Sequence, residues 1–120
     1  MSEIIIHTGD VHKKGWGFES WIHNDEKYCG KLLSFCQGKK MSLHYHKKKT
    51  ETFFVQKGKG VLICANEDGK VVKWHNIVEG MCVEVPTLQA HAIVALTDMD
   101  IFEFSTQHFE DDSYRILKGD

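Results

Sequence analysis

The stretch GKKMSLHYHKKKTETFFVQKG, Gly38–Gly58, sets two histidines one residue apart, His44 and His46. After four further residues comes a glutamate, Glu51, leading straight into the apolar run Phe53, Phe54, Val55. In a β-strand, side chains two apart share a face, so His44 and His46 point to one side and Tyr45 to the other. Glu51 has the opposite parity, but the polar run KKKT before it is turn-like and resets the register. Glu51 then faces inward together with Phe53 and Val55. A fourth donor has to come from a strand remote in sequence. His91 is the candidate, because it opens HAIVAL just beyond Pro86 and shares a face with Ile93 and Ala95. Three imidazoles and a carboxylate around an open position suit one divalent ion (manganese, iron, zinc, cobalt or nickel) without choosing among them. The His-x-His spacing taken alone leaves a hydrogen-bonded core pair equally open.

Working outward, the chain reads as strands and turns almost everywhere. YCGKLLSFC, ETFFVQ, GVLICA, KVVKWHNIV, MCVEVP, HAIVAL and DIFEFST are short and rich in β-branched and aromatic residues. QGKK, KGKG, NEDGK, EG and LTDMD separate them and carry the Gly, Asn and Asp of tight turns. NEDGK is the clearest hairpin, because Asp68-Gly69 tolerates positive φ. No segment keeps a helical period and no repeat is visible. Many short strands without crossover helices predict an all-β antiparallel sandwich or barrel.

A chain of 120 residues with 42% hydrophobic content fits one domain over residues 1–120. The formal charge of -2 gives no global electrostatic argument for nucleic acid or an anionic membrane. No apolar run reaches transmembrane length and the N-terminus carries no basic leader, so a soluble, cytoplasmic protein is expected. The four cysteines, Cys29, Cys36, Cys64 and Cys82, form no close pair and read as reduced, mostly buried thiols. His7, His12, His23, His75 and His108 read as hydrogen-bonded core or rim side chains.

Gly38, five residues, His44, one, His46, four, Glu51, six, Gly58 reproduces the first cupin motif without a gap. Gly80, MCVEV, Pro86 and, after four residues, His91 match the second in part, with Leu88 at the usual glycine and Ala95 at the usual asparagine. The chain therefore resembles a cupin. That resemblance implies a single-domain jelly-roll β-barrel, spanning about residues 28–107 with N- and C-terminal extensions, and a metal held by His44, His46, Glu51 and His91.

A closer likeness is to the cupin domain at the C-terminus of type II phosphomannose isomerases. MSLHYHKKKTETF is similar to that family's core, with His44 where glutamine is frequent. GWGFE, Gly15–Glu19, resembles its entry segment, with Gly15 in place of a proline. IFEFSTQHFEDDSYRI, from Ile101, resembles its final strand, acidic Glu-Asp-Asp and arginine. The resemblance implies a homodimer and a small-molecule substrate, a sugar or sugar phosphate.

Aldose–ketose isomerisation needs a Lewis acid for two oxygens and a base beside them. The metal would be the first. Glu103, a carboxylate within the apolar strand DIFEFST, is the candidate base, unless it simply pairs with Lys31 or Arg115. Lys39, Lys40, Lys47, Lys48 and Lys49 bracket the ligands. Lys47 and Lys49 are the candidates for drawing in an anionic substrate, although solvated turn lysines read the same way. Trp16, Trp21 and Trp74 could stack on a sugar ring or serve as core and dimer contacts, and Trp16 is the candidate for the substrate. The leading expectation is a metal-dependent sugar or sugar-phosphate isomerase. A non-haem iron dioxygenase and a non-catalytic metal- or carbohydrate-binding protein remain as alternatives.

Overall fold

In the computed structural model, which describes residues 3–120, the chain folds as strands with one short 3-10 turn. The strands are β1 (Asp10–Lys14), β2 (Gly17–Asn24), β3 (Cys29–Phe35), β4 (Leu43–Tyr45), β5 (Glu51–Lys57), β6 (Lys59–Ala65), β7 (Val71–Val78), β8 (Cys82–Val85), β9 (Ala90–Ala95), β10 (Met99–Ser105) and β11 (Tyr114–Leu117). They form two antiparallel sheets, one ordered β1-β2-β3-β10-β5-β8 and the other β11-β4-β9-β6-β7. Among the described residues no helix is long and apolar enough to cross a membrane.

The seven strand segments expected from β-branched and aromatic runs all form. The sheets also take in both terminal stretches. β1 pairs with β2, which lies against β3, and β11 pairs with β4. The β6–β7 hairpin closes as expected, with one refinement: of Asp68 and Gly69, only Gly69 adopts positive φ, 79°. Asn66 organises the turn, its Oδ1 accepting from the amides of Asp68 and Lys70 at 3.0 Å each.

Two-residue alternation lays the core in cross-strand rows on the inner face of the six-stranded sheet. Phe35 pairs with Met99, and the next row holds Leu33, Ile101 and Val55. Each of these five is at most 2% exposed. The following row carries Lys31, Glu103 and Phe53, and the last Cys29, Ser105 and Glu51. Ala92, Ile93, Ala95, Leu62 and Ile77 of the second sheet belong to the same core cluster. The barrel thus runs from a dry end to a polar end within four rows of one sheet.

The cysteines depart from expectation. All four are free thiols, but only Cys29 is buried; Cys64 is half-buried, and Cys36 and Cys82 are exposed. Cys36 follows the last residue of β3 and Cys82 opens β8, positions where a strand end faces solvent.

Candidate metal centre

The polar end of the barrel is where the four expected donors meet. His44 on β4 and His91 on β9 are direct cross-strand partners, which sets their rings side by side with centroids 4.7 Å apart. His46 follows the end of β4, two residues on from His44, and Glu51 opens β5 in the opposite sheet. All four are buried, and one donor atom from each lies within 4.8 Å of the others.

The imidazoles are fixed by what their other nitrogens bind. His44 Nδ1 lies 2.9 Å from the Ser42 carbonyl oxygen, His91 Nδ1 2.9 Å from that of Gln89, and His46 Nδ1 2.8 Å from that of Asp112. A carbonyl can only accept, so each Nδ1 donates, and Nε2 is the nitrogen that offers a lone pair when the ring binds a metal. Burial first, and then the neighbouring His91, pushes the His44 pKa down to about 3, so its ring is neutral. Burial acts to raise the Glu51 pKa, but His46, His91 and Lys49 outweigh it and hold the carboxyl well below the ordinary range.

His91 Nε2 sits 2.8 Å from Glu51 Oε1, yet the angles are not those of a hydrogen bond, and both buried atoms lack a partner. Lone pairs converging on one another in a buried space are unfavourable unless a cation lies between them. The donor set fits a divalent ion. His44, His46, Glu51 and His91 could hold one metal ion, of undetermined identity.

Three of the four, His44, His46 and Glu51, form part of the wall of a cavity of about 390 Å³, lined also by Trp16, Trp21, Lys31, Lys49, Glu103 and His108. Glu103 is buried, but its pairing is neither of those expected. Its Oε2 receives Lys49 Nζ at 3.0 Å and Ser105 Oγ at 2.8 Å. Lys31 instead lies 3.5 Å from Glu19 Oε1 and 4.5 Å from the centroid of the Trp21 ring. Arg115 lines the same cavity but makes no hydrogen bond or ion pair to Glu103. No protein hydrogen bond reaches Glu103 Oε1 among the described residues.

Trp16 is buried, stacked on Phe35 with centroids 4.3 Å apart, and contributes to the cavity wall. Trp21 donates to Glu19 Oε1 at 2.7 Å and stacks on His12. Trp74 is exposed on β7, away from the cavity. The three lysines after His46 separate. Lys47 Nζ lies over the Tyr114 ring at 4.3 Å, Lys48 Nζ over Phe109 at 4.8 Å, and Lys49 turns into the interior.

Sequence reasoning missed Asp112, which follows β10 in the 3-10 turn Glu110–Asp112 and is 2% exposed. Its carboxylate accepts from the amides of Lys47 at 2.9 Å, Lys48 at 3.2 Å and Lys49 at 3.1 Å, while its carbonyl holds His46. Burial acts to raise its pKa, but the three amides outweigh it and lower it. On the other side, the Leu88 amide donates to the His46 carbonyl at 2.7 Å. Leu88 has φ 69°, a conformation natural to glycine. The family model described as Cupin matches residues 32–116.

The chain belongs to the cupin family. Three solved structures share the cupin fold with it. Capsular polysaccharide assembling protein CapF from Staphylococcus aureus superposes with a TM-score of 0.81 at 18% identity, over 93% of this chain and 32% of that one. A structure of CapF with the inhibitor 3-isopropenyl-tropolone gives 0.79 at 21% identity, over 94% and 35%. An oxalate decarboxylase variant from Bacillus subtilis gives 0.78 at 15% identity, over 96% and 34%. This cupin therefore spans about a third of the length of each. No curated protein matches it.

Proposed function

We propose that this cupin is a metal-dependent isomerase acting on a sugar or sugar phosphate by aldose–ketose proton transfer. The observation that carries the reading is Glu103: a buried carboxylate in the cavity wall, one oxygen fixed and the other unbonded, beside the His44, His46, Glu51, His91 centre. The resemblance of MSLHYHKKKTETF and of the terminal segments to the phosphomannose isomerase cupin domain supports the same substrate class.

A divalent ion bound by His44, His46, Glu51 and His91 would polarise a carbonyl and a neighbouring hydroxyl. The chain's own residues do the rest. Glu103 Oε1 removes the proton from the carbon next to the carbonyl and returns it to the former carbonyl carbon, the hydroxyl proton passing from the second oxygen to the first, while Lys49 and Ser105 hold Oε2 still. Trp16, packed on Phe35, gives the cavity an apolar wall against which one ring face can lie and water is excluded. Lys47, placed over Tyr114, acts on an anionic substrate only at long range. A cytoplasmic homodimer completes the reading, with the exposed Val72, Trp74 and Val78 of β7 as the surface offered for pairing.

The test is isotopic. Protein with a redox-inactive metal is given aldoses and aldose phosphates in deuterated water, and label is sought at carbon 1 and carbon 2. Glu103→Gln keeps size and hydrogen bonding but removes the base, so turnover should fall about 10²-fold or more with metal content unchanged. Equal rates in parent and variant would exclude Glu103. Oxygen uptake dependent on iron, with no label in any sugar, would replace the isomerase by a dioxygenase.

A further inference from the structure

Of the three lysines after His46, only Lys49 is buried, at 3% exposed. Its Nζ lies 3.0 Å from Glu103 Oε2, 3.4 Å from Glu51 Oε2 and 3.1 Å from His108 Nδ1. An ammonium has three N–H donors and no acceptor; two are hydrogen-bonded, to Glu103 Oε2 and His108 Nδ1, and Glu51 Oε2 lies within ion-pair distance. Burial works against its charge, but Glu103 and Glu51 outweigh burial and raise its pKa. Burial, and then Lys31 and Lys49, depress the His108 pKa to about 3. That ring is neutral and presents a lone pair to the amine. The lysine touches the two buried carboxylates of the cavity wall, Glu51 and Glu103, in each case at Oε2.

We propose that Lys49 is a positioning residue that divides the oxygens of two buried carboxylates, leaving Glu51 Oε1 for the metal and Glu103 Oε1 for the substrate. The inference rests on the reading of Glu103 as the base. Glu51 Oε1 is the oxygen that faces His91 Nε2 at 2.8 Å and His46 Nε2 at 3.5 Å. Glu103 Oε1 accepts no protein hydrogen bond among the described residues. Both free oxygens are therefore the ones that chemistry at the centre would use. Without the ammonium, two buried anions would lie close to a divalent ion, with the neutral Ser105 hydroxyl as the only remaining hold on Glu103 Oε2. Glu103 would turn towards the ion and bind it as an additional ligand, and a carboxylate bound in that way can no longer take a proton from carbon.

Cobalt(II) is the probe, because its visible absorption reports the number and kind of its ligands. The parent, Lys49→Met, Glu103→Gln and the double variant Lys49→Met/Glu103→Ala are loaded with cobalt in the absence of substrate. The absorption should change in Lys49→Met, return to that of the parent in the double variant, and stay that of the parent in Glu103→Gln. Turnover of Lys49→Met should fall about 10²-fold or more. A folded Lys49→Met with the parent's spectrum overturns the proposal. Should Lys49→Met fail to fold, Glu103→Gln decides, since a changed spectrum there means Glu103 already reaches the ion and is not held back. A parent that isomerises no aldose overturns the isomerase reading alone, because the spectra are read without substrate. Altered spectra that persist in the double variant overturn the division of oxygens alone.

Discussion

The two halves of the metal centre are held in different ways. His91 is self-sufficient: its Nδ1 binds the carbonyl of Gln89, two residues back, and its strand lies between β4 and β6. His46 depends on the rest of the chain. It stands outside any strand, and its ring is bound by Asp112, 66 residues away, while its carbonyl is bound by Leu88. A ligand inside a central strand inherits its position from the sheet. One on a loop needs dedicated braces, and here the C-terminal segment provides the main one.

Removing ligands tests that difference at its coarsest. His46→Ala and His91→Ala should each lose most of the bound ion, read by metal analysis of protein purified without chelators. Full occupancy in His91→Ala would mean that the first motif suffices and the halves are not partners. A finer contrast sets Asp112→Ala against Gln89→Ala. Losing the Asp112 carboxylate strands three amides, and the variant should be about 2–3 kcal/mol less stable in denaturant. It should also bind metal about 10–100-fold more weakly by calorimetric titration, because the lost carboxylate is what pins the Asp112 carbonyl against His46 from a segment outside the sheet. Gln89→Ala keeps the backbone carbonyl that orients His91, so metal affinity should stay within about 3-fold. Equal losses in both would remove the distinction between braced and self-sufficient ligands. The smallest effect is expected at the other brace. Leu88→Gly relieves a leucine held at positive φ and should raise stability by about 0.5–1 kcal/mol, read from the unfolding midpoint. Its amide, and so the hydrogen bond to His46, is untouched.

These residues also mark how far the sequence could be read. His44, His46, Glu51 and His91 were legible because period-2 alternation and motif spacing are local signals, and β3 and β5–β10 because their apolar residues are dense. β1, DVHKK, was not, because only Val11 is apolar and the strand is largely exposed. The four-residue β11 was too short to show a pattern. Asp112 entered only as the end of the acidic Glu-Asp-Asp in the family likeness, with no role attached, because its function lies in amides at Lys47–Lys49. Lys49 failed for the opposite reason. Three identical residues in a row carry no clue as to which one the turn will rotate inward, and composition favours solvent for all three.

The graded rows of the six-stranded sheet have a consequence for traffic. Beyond Glu103 and Lys31 the interior closes over Leu33, Ile101, Val55, Phe35 and Met99, so the barrel has no back exit. A molecule in the cavity lined by His44, His46 and Glu103 reaches it from the polar end, and a second cavity, lined by Thr50, Glu51, Glu84 and Ser105, lies beside Glu51. An ion held by His44, His46, Glu51 and His91 would be the inner tenant, and a molecule seated in the cavity would stand between it and the polar opening. By that route departures would be queued: the outer occupant would leave before the ion, so a slow-leaving ligand would also lengthen the stay of the metal behind it.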